Sequence, residues 1–291
     1  MSKPIAETEL ILTSEGAIYH LNLQPEQIAD TVIVVGDQAR VLEISKHFDH
    51  IDTRVQNREF VTHTGTFRGK RISAVSTGIG TDNIDIVLNE LDALVNIDLK
   101  TRMIRPEKKA LRIVRIGTSG ALQADIPVDT FVASSHGMGF DGLLNFYEGC
   151  PQIDEPGIAD AFMKHSGWTK NMPYPYVVKA SESLLQTIAF DMRQGITATA
   201  PGFYGPQGRE LRLKPTLPDL NEKLGSFRFD NLQVTNFEME TSALYGLGKL
   251  MGHETATICA IIANRVIRQY SKDYHPTIER LIQTVIERLT V

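Results

Sequence analysis

The sequence predicts an α/β fold, in which helices cover both faces of a central mixed, mostly parallel β-sheet. Short β-branched runs alternate along the chain with segments whose apolar residues recur at helical spacing. Several of these runs stop at glycine-rich turns, and loops at the ends of parallel strands are where such sheets bind ligands. The composition, 42% hydrophobic and 22% charged, is that of an ordinary globular protein with a large core.

Each predicted element follows from its local pattern. The strands are β-branched or apolar runs, and they occupy residues 31–35, 71–76, 112–116, 130–134 and 255–263. The helices carry apolar residues three and four positions apart, and they occupy residues 40–48, 83–95, 240–251 and 278–289. We find no linker rich in Pro, Ser or Gly and no fixed-period repeat, so we expect one domain over residues 1–291.

Three predicted turns each combine glycine with Asp, Thr or Ser and lie close to an arginine. They are Val35–Arg40, Ser76–Thr81 and Arg115–Gly120. Glycine exposes backbone N–H groups to an anion, and arginine offers a fork of donors that matches phosphate oxygens. Arg115 also interrupts an apolar strand, where a charge requires a partner. One such turn alone is more often an ordinary connection, but three together predict a small phosphate site.

Composition and motifs exclude several other functions. The net charge is −5, and the basic residues are dispersed apart from a short cluster at residues 102–112, so we expect no nucleic-acid partner. Cys150 and Cys259 are too few for a disulfide scaffold or a zinc site. No apolar run approaches the roughly 20 residues of a membrane helix. Residues 1–12 lack the core of a signal peptide, which favours a cytoplasmic protein without a membrane partner. Nucleotide-binding glycine motifs are also absent.

The chain resembles the nucleoside phosphorylase-I family, and within it the members that act on uridine. The matching segments extend from Tyr19–Leu23 to Asn264–Arg265, which is most of the chain. The resemblance implies a pentosyltransferase that reversibly converts uridine and phosphate to uracil and ribose 1-phosphate. Deoxyuridine or thymidine are further possible substrates. It implies no cofactor, because inorganic phosphate is itself a substrate.

Two turns and a neighbouring subunit supply the phosphate ligands that the resemblance implies. Gly36 and Arg40 belong to the first turn, and Arg115 and Thr118 to the third. Arg58, in an Arg-Glu-Phe segment, reaches the phosphate of the adjacent subunit in the family.

The segment Asn236–Thr241 matches the ribose-binding segment of the family. Glu240 and Met239 hold the sugar there, with Glu238 adjacent, and His20 matches a histidine that bonds the 5′-hydroxyl across a dimer interface. A carboxylate accepts hydrogen bonds from two vicinal hydroxyls, which suits a ribose diol. In isolation, Glu-Met-Glu before a helical pattern is more typical of an ordinary helix start.

Base recognition is implied by the loop Phe203–Arg209. In the family, the amide corresponding to Gln207 pairs with uracil O2 and N3–H, the guanidinium of Arg209 donates toward O4, and Phe203 packs beside the ring. Taken alone, Phe-Tyr-Gly-Pro is simply a loop. The predicted base-binding residues are Ser119, Gly120, Phe203, Gln207 and Arg209. Purine-specific members carry an aspartate after the late buried strand, whereas this strand runs into Asn264–Arg265.

We assign catalysis to Arg115, Arg209 and Gln207, without a covalent intermediate. Arg209 and Gln207 stabilise the departing uracil anion, while the bound phosphate balances the cationic sugar and attacks it. Three alternatives remain. A nucleosidase of the same fold has no need for the phosphate arginines. A purine nucleoside phosphorylase lacks the Gln207 and Arg209 pair. A non-catalytic nucleoside-binding module gains nothing from a complete phosphate clamp.

Self-association is expected because His20 and Arg58 serve a neighbour's site in the family. Members form dimers or hexamers, and the sequence does not decide between them. Glu59 matches a glutamate that binds a monovalent cation at the dimer interface in some members. Two positions depart from the family pattern, Gln38 for proline and Gly208 for an acidic residue, and the connection 95–109 is longer than in compact bacterial members.

Overall fold

The computed structural model describes residues 3–290, which form helices around one large sheet and a small hairpin. The strands are β1 (Thr31–Val35), β2 (His50–Asn57), β3 (Phe60–Phe67), β4 (Lys70–Ser76), β5 (Ile97–Asp98), β6 (Met103–Ile104), β7 (Arg112–Ala121), β8 (Phe131–Gly139), β9 (Tyr176–Lys179), β10 (Arg193–Thr199), β11 (Arg228–Phe229), β12 (Leu232–Glu238), β13 (Glu254–Asn264) and β14 (Gln269–Tyr270). The helices are α1 (Gln38–Ser45), α2 (Thr81–Asn96), α3 (Cys150–Ile153), α4 (Pro156–Ser166), α5 (Glu182–Ile188), α6 (Leu220–Ser226), α7 (Thr241–Met251) and α8 (His275–Leu289).

Strand β7 lies at the centre of the sheet. It pairs in parallel with β1 on one side and β13 on the other, and its last residues pair antiparallel with β12. The strands β12, β10, β8, β13 and β7 therefore close into a ring, while β1, β4, β3 and β2 extend the sheet beyond it. The predicted α/β fold with a mixed sheet is confirmed. The parallel pairings lie at the centre of the sheet, and antiparallel pairings outnumber them among the described strands, so the sheet is not mostly parallel as predicted.

Helices cover both faces of this sheet, as β1 shows most clearly. Val32 and Val34 pack in the same hydrophobic cluster as α2 and α7. Ile33 and Val35 pack in a second cluster with α1 and α8. Because successive side chains of a strand point to opposite faces, all four positions are apolar only when both faces are covered.

The prediction that a strand ends at residue 116 and a glycine-rich turn follows at 117–120 is wrong. Strand β7 continues to Ala121, because Gly117 pairs with Cys259 of β13 and Gly120 pairs with Ala263. Hydrogen bonds from neighbouring strands hold these glycines extended. Strand β8 likewise runs to Gly139, five residues past the predicted end, because it pairs along its length with β10.

The other predicted strands and helices lie where expected, with bounds that differ by at most three residues. Helix α1, for example, begins two residues before the predicted range, since the Asp37 carboxylate accepts a hydrogen bond from the Ala39 N–H at 2.9 Å and caps it. It also ends three residues early, at Ser45. None of the helices in residues 3–290 combines the length and apolar character that a membrane crossing needs.

Candidate active site

The first two glycine-rich turns meet at one edge of the sheet. A Cβ built on Gly36 would lie 3.3 Å from the Gly78 carbonyl oxygen, so the turns after β1 and β4 are in close contact. The Gly80 N–H donates to Oε1 of Glu240 at 2.9 Å. The third predicted segment joins them, because Arg115 of β7 lies opposite Val34 of β1. All three segments therefore line one site.

Arg115 is the buried cation of this site. Its side chain is 5% exposed, and its Nη1 lies 3.2 Å from Oε2 of Glu238. Its Nη2 donates to Oε2 of Glu240. A Cβ on Gly117 would overlap the guanidinium, so this glycine leaves the space through which Arg115 reaches the carboxylates. The charge that interrupts the apolar strand thus has its partners.

The start of helix α7 holds the two carboxylates. Glu238 accepts hydrogen bonds from the Glu240 N–H at 3.0 Å and the Thr241 N–H at 3.1 Å. The hydroxyl of Thr199, at the end of β10, donates to the same carboxylate at 2.8 Å. Thr199 has no distinguishing sequence pattern and was not predicted as a site residue. The predicted start of helix α7 therefore also holds the carboxylates, because the N–H groups of the first helical turn attract negative charge.

Burial and the neighbouring charges shift the pKa values of Arg115 and Glu240. Burial raises the pKa of Glu240 to about 6, Glu238 adds to the effect, and Arg115 opposes both. Burial alone would lower the pKa of Arg115, but Glu240 and Glu238 raise it above its ordinary value. Arg115 therefore stays charged, while burial makes Glu240 bind a proton more readily than an exposed glutamate does.

Arg40 supplies a second cation beside Arg115. Its Nη1 donates to the Ile116 carbonyl oxygen at 3.4 Å, which places it against β7. Burial lowers the pKa of Arg40, and the proximity of Arg115 lowers it further. Gly36 directly follows β1, and Thr118 lies half-buried in the neighbouring β7. Two adjacent guanidinium groups favour an anion between them, as the phosphate prediction requires.

The loop that contains Gln207 and Arg209 forms a compact unit. Gln207 is buried at the end of a short 3-10 helix, Gly205–Gln207, and its Oε1 accepts a hydrogen bond from Nη1 of Arg209 at 2.6 Å. The guanidinium of Arg209 lies 3.7 Å from the centre of the Phe203 ring. One face of Phe203 is thus occupied by Arg209, and contact of this ring with a base remains a prediction.

Arg265 also belongs to this part of the site, although no role was predicted for it from the sequence. A Cβ on Gly120 would lie 3.5 Å from Cγ of Arg265, and the Arg265 N–H donates to the Ala121 carbonyl at 3.0 Å. Its Nη1 is buried, with no hydrogen-bond partner among residues 3–290. Burial lowers the pKa of Arg209 to about 10, and Arg265 contributes to that shift. The only sequence pattern that pointed to Arg265 was its position directly after a long buried strand.

Hydrogen bonds through Ser119 and Asn236 connect the strands that carry the site residues. The Asn236 side-chain amide donates to the Ser119 hydroxyl at 2.8 Å and accepts from the Thr197 hydroxyl at 2.8 Å. These bonds tie β7, β12 and β10 together inside the closed ring of strands. The arrangement fixes the segment that carries Glu238 and Glu240 relative to the strand that carries Arg115.

The side chains of His20 and Arg58 make their contacts with residues outside the buried cluster. Nη2 of Arg58 lies 3.4 Å from the Tyr19 hydroxyl, and the Asn57 side-chain amide donates to the His20 carbonyl at 2.8 Å. Within residues 3–290, neither His20 nor Arg58 forms a hydrogen bond or ion pair with Arg115, Glu238 or Glu240. The Arg58 backbone nevertheless lies beside the first turn, because its carbonyl accepts a hydrogen bond from Nε2 of Gln38 at 2.9 Å.

The cation prediction at Glu59 stays a prediction. This residue is exposed at the β2–β3 turn, and its Cγ lies 3.4 Å from the position that a Cβ on Gly78 would take. No three His, Cys, Asp or Glu side chains in the described chain come together in a group that could hold a metal ion.

The geometry defines what the site can bind. Arg40 and Arg115 suit a small dianion, and Glu238 and Glu240 offer acceptors for adjacent hydroxyl groups. Gln207 presents both an amide donor and an acceptor next to a guanidinium, which suits a planar ring with imide groups. An anion, a diol and a polar ring can therefore occupy neighbouring parts of one site.

Known proteins resemble this chain along most of its length. Residues 30–289 match the phosphorylase superfamily. The chain is 31% identical to a uridine phosphorylase of Thermococcus kodakarensis over 278 residues, 94% of this chain and 86% of that one. It is 27% identical to a DeoD-type purine nucleoside phosphorylase of Streptococcus suis, over 83% and 84% of the two chains. A solved nucleoside phosphorylase of Trypanosoma brucei with uridine phosphorylase activity matches with a TM-score of 0.85 and 28% identity, over 97% of this chain and 99% of that one.

Proposed function

The chain belongs to the phosphorylase superfamily, and we propose that within it the protein is a uridine phosphorylase. It converts uridine and inorganic phosphate to uracil and ribose 1-phosphate, and needs no cofactor. The observation that carries the pyrimidine assignment is the contact between Gln207 and Arg209, which places a paired amide donor and acceptor beside a cation. These groups match the O2, N3–H and O4 edge of uracil.

Phosphate is the nucleophile in this reaction. Arg40 and Arg115 hold it as a dianion near C1′ of the ribose, while Glu238 and Glu240 fix the sugar hydroxyls. As the bond from C1′ to N1 stretches, the sugar becomes cationic and the dianion stabilises it electrostatically. A phosphate oxygen then bonds to C1′, and holding both reactants in one site lowers the entropic part of the barrier.

The base leaves with the electron pair of the broken bond. Arg209 faces the negative charge that develops on O4, and the amide of Gln207 donates to O2. Arg209 is only partly exposed, and burial strengthens its interaction with an anion relative to water. Arg265, whose buried Nη1 has no protein partner among residues 3–290, adds positive charge on the same side.

The alternative functions fit the site less well. A hydrolytic nucleosidase does not need Arg40 and Arg115 side by side. A purine nucleoside phosphorylase has no use for the amide and guanidinium pair, and the purine relative is also less similar to this chain than the uridine phosphorylase of Thermococcus kodakarensis. A binding module gains nothing from a phosphate clamp built beneath the sugar.

A base-release assay tests the proposed function. Uridine, thymidine and inosine are each incubated with the protein, with and without phosphate, and free base is measured. We expect release from uridine only when phosphate is present, and little release from inosine. Thymidine is included because a pocket distinguishes one methyl group by only about 1–3 kcal/mol. Phosphate-independent release, or inosine as the best substrate, would exclude this function.

We further propose that two copies of the chain complete each site. Arg115 is already paired with Glu238 and Glu240, so a phosphate dianion requires positive charge in addition to that of Arg40. Arg58 of a neighbouring copy supplies it, because Arg58 is exposed and contacts Tyr19 rather than its own cluster. His20 of the same neighbour lies beside Arg58 and reaches the 5′ end of the sugar.

Mixing two inactive variants tests this sharing of residues. Arg58→Ala and Arg115→Ala are each expected to lose most activity as separate proteins. When the two chains are co-expressed, half of randomly formed dimers are mixed, and each mixed dimer has one intact site, so about one quarter of wild-type activity returns. The readout is phosphate-dependent uracil release by the purified mixture. If Arg58 serves its own chain, no mixed dimer has an intact site, and activity stays at the level of the separate variants.

A further inference from the structure

The carboxylate of Glu90 forms several hydrogen bonds with the His20 segment. It accepts hydrogen bonds from the His20 N–H at 3.0 and 3.1 Å and from the Leu21 N–H at 2.8 Å. Its Oε1 also lies 2.6 Å from Nδ1 of the His20 ring. Glu90 belongs to α2, seventy residues away in sequence, and its side chain is 12% exposed. One carboxylate therefore holds both the backbone and the ring of the same histidine.

A second side chain fixes the opposite edge of this segment. The Asn57 amide donates to the His20 carbonyl at 2.8 Å and to the Tyr19 carbonyl at 3.3 Å. The rings of Tyr19 and Phe60 meet the imidazole edge to face, with centroids 4.9 and 6.3 Å away. The backbone is thus held from both sides, and the direction of the ring is set by Glu90.

The contact also determines which ring nitrogen carries the proton. A carboxylate only accepts hydrogen bonds, so Nδ1 must be the donor to Glu90. In neutral histidine the other nitrogen, Nε2, is then a hydrogen-bond acceptor. No residue among 3–290 engages Nε2, and the side chain of His20 is 27% exposed. In its neutral form the ring therefore presents one acceptor of fixed direction at the surface.

We propose that Glu90 is a positioning residue for nucleoside binding. It orients His20 and fixes its tautomer so that Nε2 accepts the 5′-hydroxyl proton of a ribose bound in the neighbouring subunit. This inference rests on the proposed function, which places a nucleoside 5′-hydroxyl at His20. Carboxylates that orient a histidine through its second nitrogen act in this way on metal-bound histidines, where removing them costs 10- to 100-fold.

The Glu90→Gln variant tests the proposal through two substrates, uridine and 5′-deoxyuridine, which lacks the hydroxyl that His20 would bind. We expect kcat/KM for uridine to fall about tenfold, mainly through KM, while 5′-deoxyuridine changes by less than about twofold. The KM for phosphate stays at the wild-type value. Glu26→Gln, an exposed glutamate in the turn after the His20 segment, is the matched control and leaves both substrates unchanged.

A double-variant cycle with His20→Ala separates positioning from a structural role. If Glu90 acts through His20, adding Glu90→Gln to His20→Ala lowers uridine turnover little further. Equal losses for uridine and 5′-deoxyuridine, or additive losses in the double variant, would overturn the proposal. Glu90→Asp, which retracts the carboxylate but keeps its charge, gives the same selective loss and replaces Glu90→Gln if that variant does not fold. A wild-type protein that fails to cleave uridine with phosphate contradicts the proposed function instead.

Discussion

Arg115→Met is expected to lower kcat/KM for uridine phosphorolysis by at least about 100-fold, the loss typical when one preorganised charge donor is removed from an active site. Arg115 faces phosphate and also holds Glu238 and Glu240 in place, so both substrates lose a contact. Steady-state kinetics with varied phosphate and uridine measures the effect. Arg112→Met, on the same strand but paired with Glu254 at 3.8 Å near the surface, is the matched control and keeps near wild-type activity.

The same variant is expected to be less stable. Removing one partner of a buried ion pair leaves an uncompensated charge and costs about 3–5 kcal/mol of unfolding free energy. The loss depends on pH. Burial already raises the pKa of Glu240 to about 6, and without Arg115 it rises further. The folded state then binds a proton more tightly than the unfolded chain, so stability is present at low pH and lost as pH rises through that pKa.

Denaturant unfolding at two pH values checks this expectation. The difference in unfolding free energy between wild type and Arg115→Met should be smaller at about pH 5 than at about pH 8, because Glu240, whose pKa burial raises, binds a proton more readily at the lower pH. A difference that is the same at both pH values would mean that Glu238 and Glu240 do not depend on Arg115 for their charge compensation. Activity retained within a few fold would contradict the phosphate role of Arg115.

Arg209→Ala is expected to lower uridine turnover by about 100-fold or more, since the uracil anion loses its guanidinium partner. Binding of phosphate should be unchanged, because Arg209 contacts Gln207 and Phe203 rather than the Arg115 cluster. The measurement is kcat/KM for uridine together with KM for phosphate. An unchanged rate would mean that the loop 203–209 does not recognise the base.

Arg212→Ala is the matched control for this loop. Arg212 is exposed, lies three residues after Arg209 and has the same charge. We expect it to retain uridine turnover within about twofold, because Arg212 lines the same cavity as Arg209 but has neither the contact with Gln207 nor the one with Phe203. A loss as large as that of Arg209→Ala would indicate that general positive charge, and not the specific contact with Gln207, determines the rate.

The sequence predicts much of the fold and the chemical parts of the site. Both covered faces of β1 follow from its unbroken apolar run, and the arginine within an apolar strand identifies Arg115 before any resemblance is considered. The glycine patterns do not distinguish turns from strands. Gly117 lies in a paired strand because of β13, and the same glycine pattern forms a true turn after β1. Local pattern alone cannot separate these cases, since pairing partners lie far away in sequence.

Residues that act through distant contacts were not predictable. Thr199 of β10 donates to Glu238 on the adjacent strand β12, and Glu90 binds His20, which lies seventy residues earlier in the sequence. Each is an ordinary residue in an ordinary element, and only the folded chain brings the pairs together. The roles at Gln207 and Arg209 came from resemblance, and the structure adds the direct hydrogen bond between them.

In the proposed reaction, bound phosphate itself attacks C1′ of uridine. Incubating the protein with uridine and phosphate labelled with ¹⁸O at all four oxygens, followed by phosphorus NMR and mass spectrometry of the products, tests it directly. We predict equal amounts of uracil and ribose 1-phosphate, with all four labelled oxygens retained and one of them bonded to C1′. Free ribose, together with unconverted labelled phosphate, would show that water attacks instead and would contradict phosphorolysis.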